Sequence, residues 1–374
     1  MKPIYPIIIF LFITCISCAQ QKESSVEALT PEDLNYVTEL VVADINIPWG
    51  MDFLPDGSML ITEKTGKLIH FKNGIKTDIV GVPEVYVRGQ GGLMDIKLHP
   101  NYTENGWIYI SYASTEGEGT GGNTAIMRAQ LKGNALVNQE VLYKANPNSK
   151  KGQHFGSRIV FDDDNHIYFS IGERGERDIN PQDITRDCGK IYRLNDDGSI
   201  PLDNPFVNSE NAKKAIYSYG HRNPQGLIKN PNTGAIWEHE HGPRGGDEIN
   251  IIQKGKNYGW PIISYGINYS GTSFTDITEK EGMEQPLFYW VPSIAPSGMA
   301  FVNSDQYPNW KNNLMVGSLK FQYLERLVIE NNQVTKREKL FEGIGRVRNV
   351  KQGPDGFLYL AVEGMGILKI IAKK

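Results

Sequence analysis

The residues of this chain best suited to chemistry fall in two stretches, Gly220-His221-Arg222-Asn223-Pro224-Gln225-Gly226 and Glu238-His239-Glu240-His241-Gly242-Pro243-Arg244-Gly245-Gly246-Asp247-Glu248. Both set guanidinium, amide, imidazole and carboxylate groups among glycines and prolines. That mixture is costly in a core but suits loops that bind, because it bends the chain and exposes its backbone. Further polar segments are Arg88-Gly89-Gln90-Gly91-Gly92, Gln153-His154-Phe155-Gly156-Ser157-Arg158, Gly172-Glu173-Arg174-Gly175, Gly317-Ser318-Leu319-Lys320 and Gly345-Arg346-Val347-Arg348-Asn349. His154 is the residue of choice for proton transfer, since an unperturbed imidazole titrates near pH ~6.5. Arg346 and Arg348 alternate along an expected strand and face one way, which calls for an anion between them or for local acidic partners. His239 and His241 also share a strand parity, but no third nitrogen or sulfur ligand is evident beside them. His70, His99, His166 and His221 fall at turns or strand ends and carry no chemical signature.

The elements that must position these groups are short strands. Turn residues launch six β-rich runs: Pro55-Asp56-Gly57 before Met59–Thr62, Asn105-Gly106 before Trp107–Tyr112, and Asp163-Asp164-Asn165 before Ile167–Glu173. The same pattern continues with Asn232-Thr233-Gly234 before Ala235–His239, Lys311-Asn312-Asn313 before Leu314–Ser318, and Pro354-Asp355-Gly356 before Phe357–Glu363. Asp-Gly and Asn-Gly turns ahead of β-branched and aromatic runs are hairpin signals. Six such units predict an all-β chain, a six-bladed β-propeller, with insertions explaining their uneven spacing. A β-sandwich with long loops is the alternative, but a sandwich gives no reason to repeat one turn-strand unit six times. A propeller also brings loops from several blades to one end of a central channel.

Of 374 residues, 39 are Lys or Arg and 43 are Asp or Glu, for a formal charge of -4. With no long basic run, nucleic acid is not an expected partner. Residues 1–18 read as an export signal: Lys2, an apolar run from Ile4 to Ile16, then Ile16-Ser17-Cys18, which resembles a bacterial lipoprotein cleavage box. Cys18 would then carry the lipid and attach the protein to a bacterial membrane, in the periplasm or at the cell surface. The alternative is an ordinary secretory signal cut near Ala19, and both export the chain. Residues 19–35 read as a flexible tether and 36–374 as the propeller. The remaining cysteine, Cys188, cannot form an internal disulfide and has no catalytic signature, so it is expected as a small buried apolar residue.

Taken in order, the polar segments resemble the soluble, quinone-dependent sugar dehydrogenases, the aldose and glucose/sorbosone dehydrogenase family that uses pyrroloquinoline quinone. The resemblance runs from about Pro48 to about Lys373. It implies oxidation of an aldose at the anomeric carbon to a lactone, with the quinone and Ca²⁺ as cofactors and a soluble or membrane electron acceptor as partner. It places Gln90, His154, Arg222, Asn223, Lys320, Arg346 and Arg348 on the quinone. His154 becomes the general base, Glu173 the acid that orients it, and Arg222 the group beside the reactive carbonyl. Glu173 stands where the glucose dehydrogenase branch has Asp. The resemblance also implies one calcium on the carbonyls of Gly242 and Pro243 and a second on Glu248 and the backbone of Tyr258; backbone carbonyls are ordinary ligands for that hard ion. Two rival functions remain open: a calcium-dependent propeller hydrolase such as a lactonase, and a non-catalytic propeller that binds sugar or protein.

Overall fold

The strands are short because each must fit the depth of one blade, and apolar along both faces because each blade is covered on both sides. The second strand of the first blade, Met59–Glu63, is buried at all five positions. In a computed structural model, which describes residues 27–28 and 35–373, the chain forms six antiparallel sheets arranged as a six-bladed β-propeller. The signal segment 1–18, Cys18 and most of the tether lie outside the described residues. Among those residues no helix is long and apolar enough to cross a membrane.

The innermost strands, in chain order, are Pro48–Phe53, Leu93–Leu98, Ile159–Phe161, Pro224–Lys229, Pro296–Phe301 and Val347–Gln352. Each turns back into a second strand: Met59–Glu63, Trp107–Ser114, Ile167–Ile171, Ile236–Glu240, Leu314–Ser318 and Leu358–Val362. These second strands are the six turn-launched runs read from the sequence. The uneven spacing comes from insertions, the longest lying between Asp247–Ile251 and Phe288–Trp290 in the fourth blade. The sixth blade is completed by the other end of the chain: Tyr36–Ala43 pairs antiparallel with Gly366–Ala372 and closes the ring. Glu27–Ala28 adds a short parallel edge to the fifth blade, against Gln333–Leu340.

Six apolar clusters fill the six seams between blades. Leu60, Ile96 and Ile110 join the first and second blades, and Leu314, Trp237 and Phe301 join the fourth and fifth. The fifth and sixth share Leu324, Leu340, Leu358 and Leu360. Cys188 is buried in the seam between the second and third blades, and burial pushes its thiol up to about 11, so it is a packing residue. Leu360 is fully buried at the middle of its strand. Leu360→Ala should therefore destabilise the fold by about 2–5 kcal/mol, the range for a buried Leu truncated in a close-packed core. An unfolding free energy from urea titration that falls by less than ~1 kcal/mol would contradict this packing.

Candidate active site

A simple alternation of strand direction gathers the polar residues. The inner strands begin at one mouth of the channel, and the antiparallel second strands end there. Loops entering the inner strands carry Gln90, His154, Arg222, Asn223 and Arg346. Loops leaving the second strands carry Lys64, Glu173, Gly242, Pro243, Lys320 and Glu363. The sequence-predicted residues thus share one end of the molecule.

His154 is held tightly. Its φ of +56° lies in the left-handed region, uncommon for a residue with a Cβ and a mark of local constraint. Its backbone N–H donates to Gln90 Oε1 at 2.8 Å. Its carbonyl lies so close to Gly172 that a Cβ there would sit 2.4 Å from it, so only glycine fits. The imidazole Nδ1 is hydrogen-bonded to Glu173 Oε1. An ionised carboxylate accepts only, so Nδ1 carries the proton and Nε2 is left as the basic nitrogen. Glu173 is buried and its Oε2 has no partner. Burial, and then the charge of Arg222, hold His154 below its ordinary pKa, while Glu173 pulls it upward.

Arg222, also buried, donates from Nη1 to the carbonyls of His241 and Gly242, each at 2.9 Å, and lies 5.3 Å from the Trp260 ring centre. Asn223 is fully buried; its Oδ1 accepts the Gly156 N–H at 3.2 Å and its Nδ2 reaches Gln90 at 3.4 Å. It therefore ties the His154 loop to the Arg222 loop. A cavity of about 410 Å³ lies over these groups, lined by Gln90, His154, Glu173, Arg222, Pro243 and Trp260. It is of the size that encloses a small ligand (about 300–1,000 Å³). A larger cavity, about 560 Å³, occupies the opposite mouth among Arg158, Lys229 and Lys351. No imidazole lines it, so it lacks the acid–base pair.

Of the predicted cations Arg222 lines the first cavity, whereas Lys320, Arg346 and Arg348 are not among its lining residues. Arg346 precedes the inner strand, which begins at Val347, yet it reaches the same carboxylate as Arg348. Arg346 Nε lies 2.5 Å from Glu363 Oε2, and Arg348 Nε 2.9 Å from Glu363 Oε1. The pair thus has a local acidic partner. Against the upward push of burial, Arg348 and Arg346 pull Glu363 below its ordinary value. The shared face predicted from their alternation is present, and Glu363 is the residue the sequence reading missed. Its signal was there: it ends the sixth strand unit as Glu173 ends the third. Arg346 Nη1 also donates to the Leu319 carbonyl at 3.0 Å, beside Lys320. Lys320 stands two residues beyond its strand, exposed, 4.9 Å from the Phe321 ring. Lys64 was also missed; its Nζ donates to the Gly89 carbonyl at 2.5 Å, and it feels both Arg348 and Glu363. Burial above all, and then the neighbouring His239, Arg222 and Arg348, hold His241 well below its ordinary pKa, while the Pro296 carbonyl pulls it upward.

The oxygen donors for a cation sit one layer lower. Gly242 donates its N–H to Asp247 Oδ1 at 2.8 Å, and a Cβ on it would come within 2.3 Å of the Gly245 and Gly246 carbonyls. Glu248 lies in the strand Asp247–Ile251, directly opposite Glu240, rather than in an exposed loop. Burial, and then Glu240, raise it well above the ordinary carboxylate range. Together with Tyr258 these two acids line a cavity of about 10 Å³, room for one small ion or water. The two histidines of the fourth blade do not form a metal pair. His241 Nε2 is bonded to the Pro296 carbonyl at 2.7 Å, and His239 is fully buried with neither ring nitrogen partnered.

Comparison with known proteins places the chain among sugar dehydrogenases. The chain is 41% identical to the aldose sugar dehydrogenase YliI of Escherichia coli K12 over 333 residues, 87% of this chain and 89% of that protein. It is 28% identical to quinoprotein glucose dehydrogenase B of Acinetobacter calcoaceticus, over 89% of this chain and 86% of that one. The crystal structure of the soluble aldose sugar dehydrogenase from Escherichia coli in its apo form superposes with a TM-score of 0.87 at 39% identity, covering 90% of this chain and all of that one. The PQQ-bound aldose sugar dehydrogenase of Streptomyces coelicolor superposes with a TM-score of 0.73 at 27% identity, covering 90% and 98%. Fold and site thus define an oxidoreductase, a propeller enzyme that dehydrogenates sugars. More narrowly, the chain belongs to the glucose/sorbosone dehydrogenase family, whose model matches residues 45–369.

The forces on His154 can be read by NMR of a ¹³C-labelled imidazole. Its titration should lie below the ordinary ~6.5. Arg222→Gln, which removes a repelling cation, should move it up, and Glu173→Gln, which removes a stabilising anion, should move it down. Shifts in the opposite directions would show that the three groups are not electrostatically coupled as described.

Proposed function

We propose that this protein oxidises aldoses at the anomeric carbon to lactones, using pyrroloquinoline quinone and Ca²⁺. The observation that carries this reading is the His154–Glu173 pair opening into a ligand-sized cavity beside Arg222. The quinone, when bound, supplies the hydride acceptor, and calcium supplies a Lewis acid for its carbonyl edge.

The residues fit both groups. Arg222, Lys320, Arg346 and Arg348 would hold the carboxylates of a planar polyanion, because guanidinium forks match carboxylate geometry. Gln90 and Asn223 would add amide contacts. The carbonyls of Gly242 and Pro243 are hard oxygen donors suited to calcium, and Glu248 with the Tyr258 carbonyl would hold a second ion where two acids already crowd. Glu363 neutralises part of the positive charge before any ligand arrives.

The chain's own part in the reaction is acid–base and electrostatic. His154 Nε2 takes the proton of the anomeric hydroxyl. Its depressed pKa keeps the ring neutral, and so able to accept, at pH 7. Glu173 fixes the tautomer through Nδ1 and stabilises the imidazolium that forms. Arg222 stands beside His154 and offers a fixed positive charge where negative charge develops. Export rests on the N-terminal motif. Cys18→Ala should abolish metabolic labelling with palmitate, and persistent labelling would refute acylation at that residue.

The test mixes purified protein with the quinone and Ca²⁺ and follows dye reduction with several aldoses. His154→Ala should keep the cofactor and lose about 10²–10⁴ in kcat. Arg348→Ala should weaken quinone binding about ten- to a hundredfold, as expected for one charged hydrogen bond. A wild-type protein that binds no quinone, or reduces no dye with any aldose, would defeat the dehydrogenase reading and favour a hydrolase.

A further inference from the structure

The seam between the third and fourth blades differs from four of the others at one position. On the middle position of the second strand, four of the five-residue strands carry Ile61, Phe169, Val316 or Leu360; the fourth blade carries Glu238. Ile236 belongs to the seam facing the third blade and Trp237 to the seam facing the fifth. Strand alternation therefore turns Glu238 and Glu240 toward the third blade. Near them, in the loop that joins the third blade to the fourth, lies His221, which is fully buried.

We propose that His221, Glu238 and Glu240 form a structural site for a divalent transition cation, zinc or manganese, with ligands other than Glu248 and Tyr258 but adjoining them through Glu240. One donor atom from each of the three residues lies within 4.8 Å of the other two. All three residues are buried, at 0%, 0% and 3% exposure. Two of the donors point into the cluster without partners: His221 Nδ1 and Glu238 Oε1. The remaining atoms are held from outside. His221 Nε2 meets Ser218 Oγ at 2.9 Å, and Glu238 Oε2 accepts from Asn250 Nδ2 at 3.1 Å. Glu240 Oε2 accepts the backbone N–H groups of Arg222 and Asn223. This is the arrangement of a metal ligand set, in which surrounding groups orient each donor.

Charge and geometry choose the occupant. Two buried carboxylates, with Glu248 adjoining them, need a positive charge, and the His221–Glu240 pair is the only ion pair in the cluster among the described residues. His221 Nδ1 lies 3.5 Å from Glu240 Oε1. That separation matches two ligands of one tetrahedral ion, about 3.4 Å apart for bonds of ~2.1 Å. Calcium takes six to eight oxygens, whereas an imidazole nitrogen with two carboxylates suits zinc or manganese. Through Glu240 the ion would brace the backbone of Arg222 and Asn223, so it would steady the catalytic mouth without touching the substrate.

The experiment uses untagged full-length protein, stripped with EGTA and a stronger chelator, then incubated with Zn²⁺ or Mn²⁺ and desalted. Elemental analysis should return close to one equivalent in the wild type. Glu238→Leu, which places an apolar residue there as in the four blades compared, and Glu238→Gln should each retain at least tenfold less. The metal should raise the wild-type melting temperature and leave that of Glu238→Leu unmoved. These readouts do not depend on quinone, calcium or sugar turnover. Wild-type protein that retains no transition metal, or variants that retain as much as wild type, would overturn the proposal. In the first case protons on the carboxylates balance the cluster instead.

Discussion

Burial of both faces of every blade is the constraint on which the molecule depends. A four-stranded sheet with apolar residues on either side is insoluble alone, and it becomes stable when neighbours cover it. Only a closed ring covers every blade, and closure falls to one pairing, Tyr36–Ala43 against Gly366–Ala372. Both ends of the propeller thus sit in one sheet, so that the sixth blade cannot form until the two ends of the domain meet.

The catalytic mouth follows from the same geometry. Because inner and second strands run antiparallel, every blade sends two loops to that end, and six blades deliver a dozen. Residues as remote as Gln90 and His154, or Leu319 and Arg346, become hydrogen-bonded neighbours. Loops on such a frame can vary in length without disturbing it, and the long insertion in the fourth blade brings Trp260 and Tyr258 to the site in this way. Strain is concentrated there too, with His154 in the left-handed region and Gly242 pressed against two carbonyls.

Charge is arranged in layers. At the rim, Arg346 and Arg348 share Glu363, which keeps two guanidiniums together with no ligand between them. Beside the cavity, the Arg222 cation stands opposite the Glu173 carboxylate, with the half-buried imidazole of His154 bonded to Glu173. Deeper in the fourth blade, Glu240 links the Arg222 backbone to the acids of the seam. Each layer places a charge where the next one needs it, and burial makes these charges count for more than they would in water.

The sequence by itself determined the architecture, because turn residues ahead of β-branched runs are local signals, and six of them survive any uncertainty about their partners. It also marked His154, Glu173, Arg222 and the arginine pair, since unusual residue types stood at equivalent places in a repeat. What only the tertiary structure decided were meetings between strand ends and loops, within a blade and across a seam. Glu363 belongs to Arg346 and Arg348 because the last hairpin folds back beside its own inner strand. His221 looked bland as a residue at a turn, and becomes a possible ligand only where the third blade presses it against Glu238 and Glu240. Such contacts join residues on different strands and loops, 15 positions apart for Arg348 and Glu363, and the turn and strand patterns do not encode which side chains will meet.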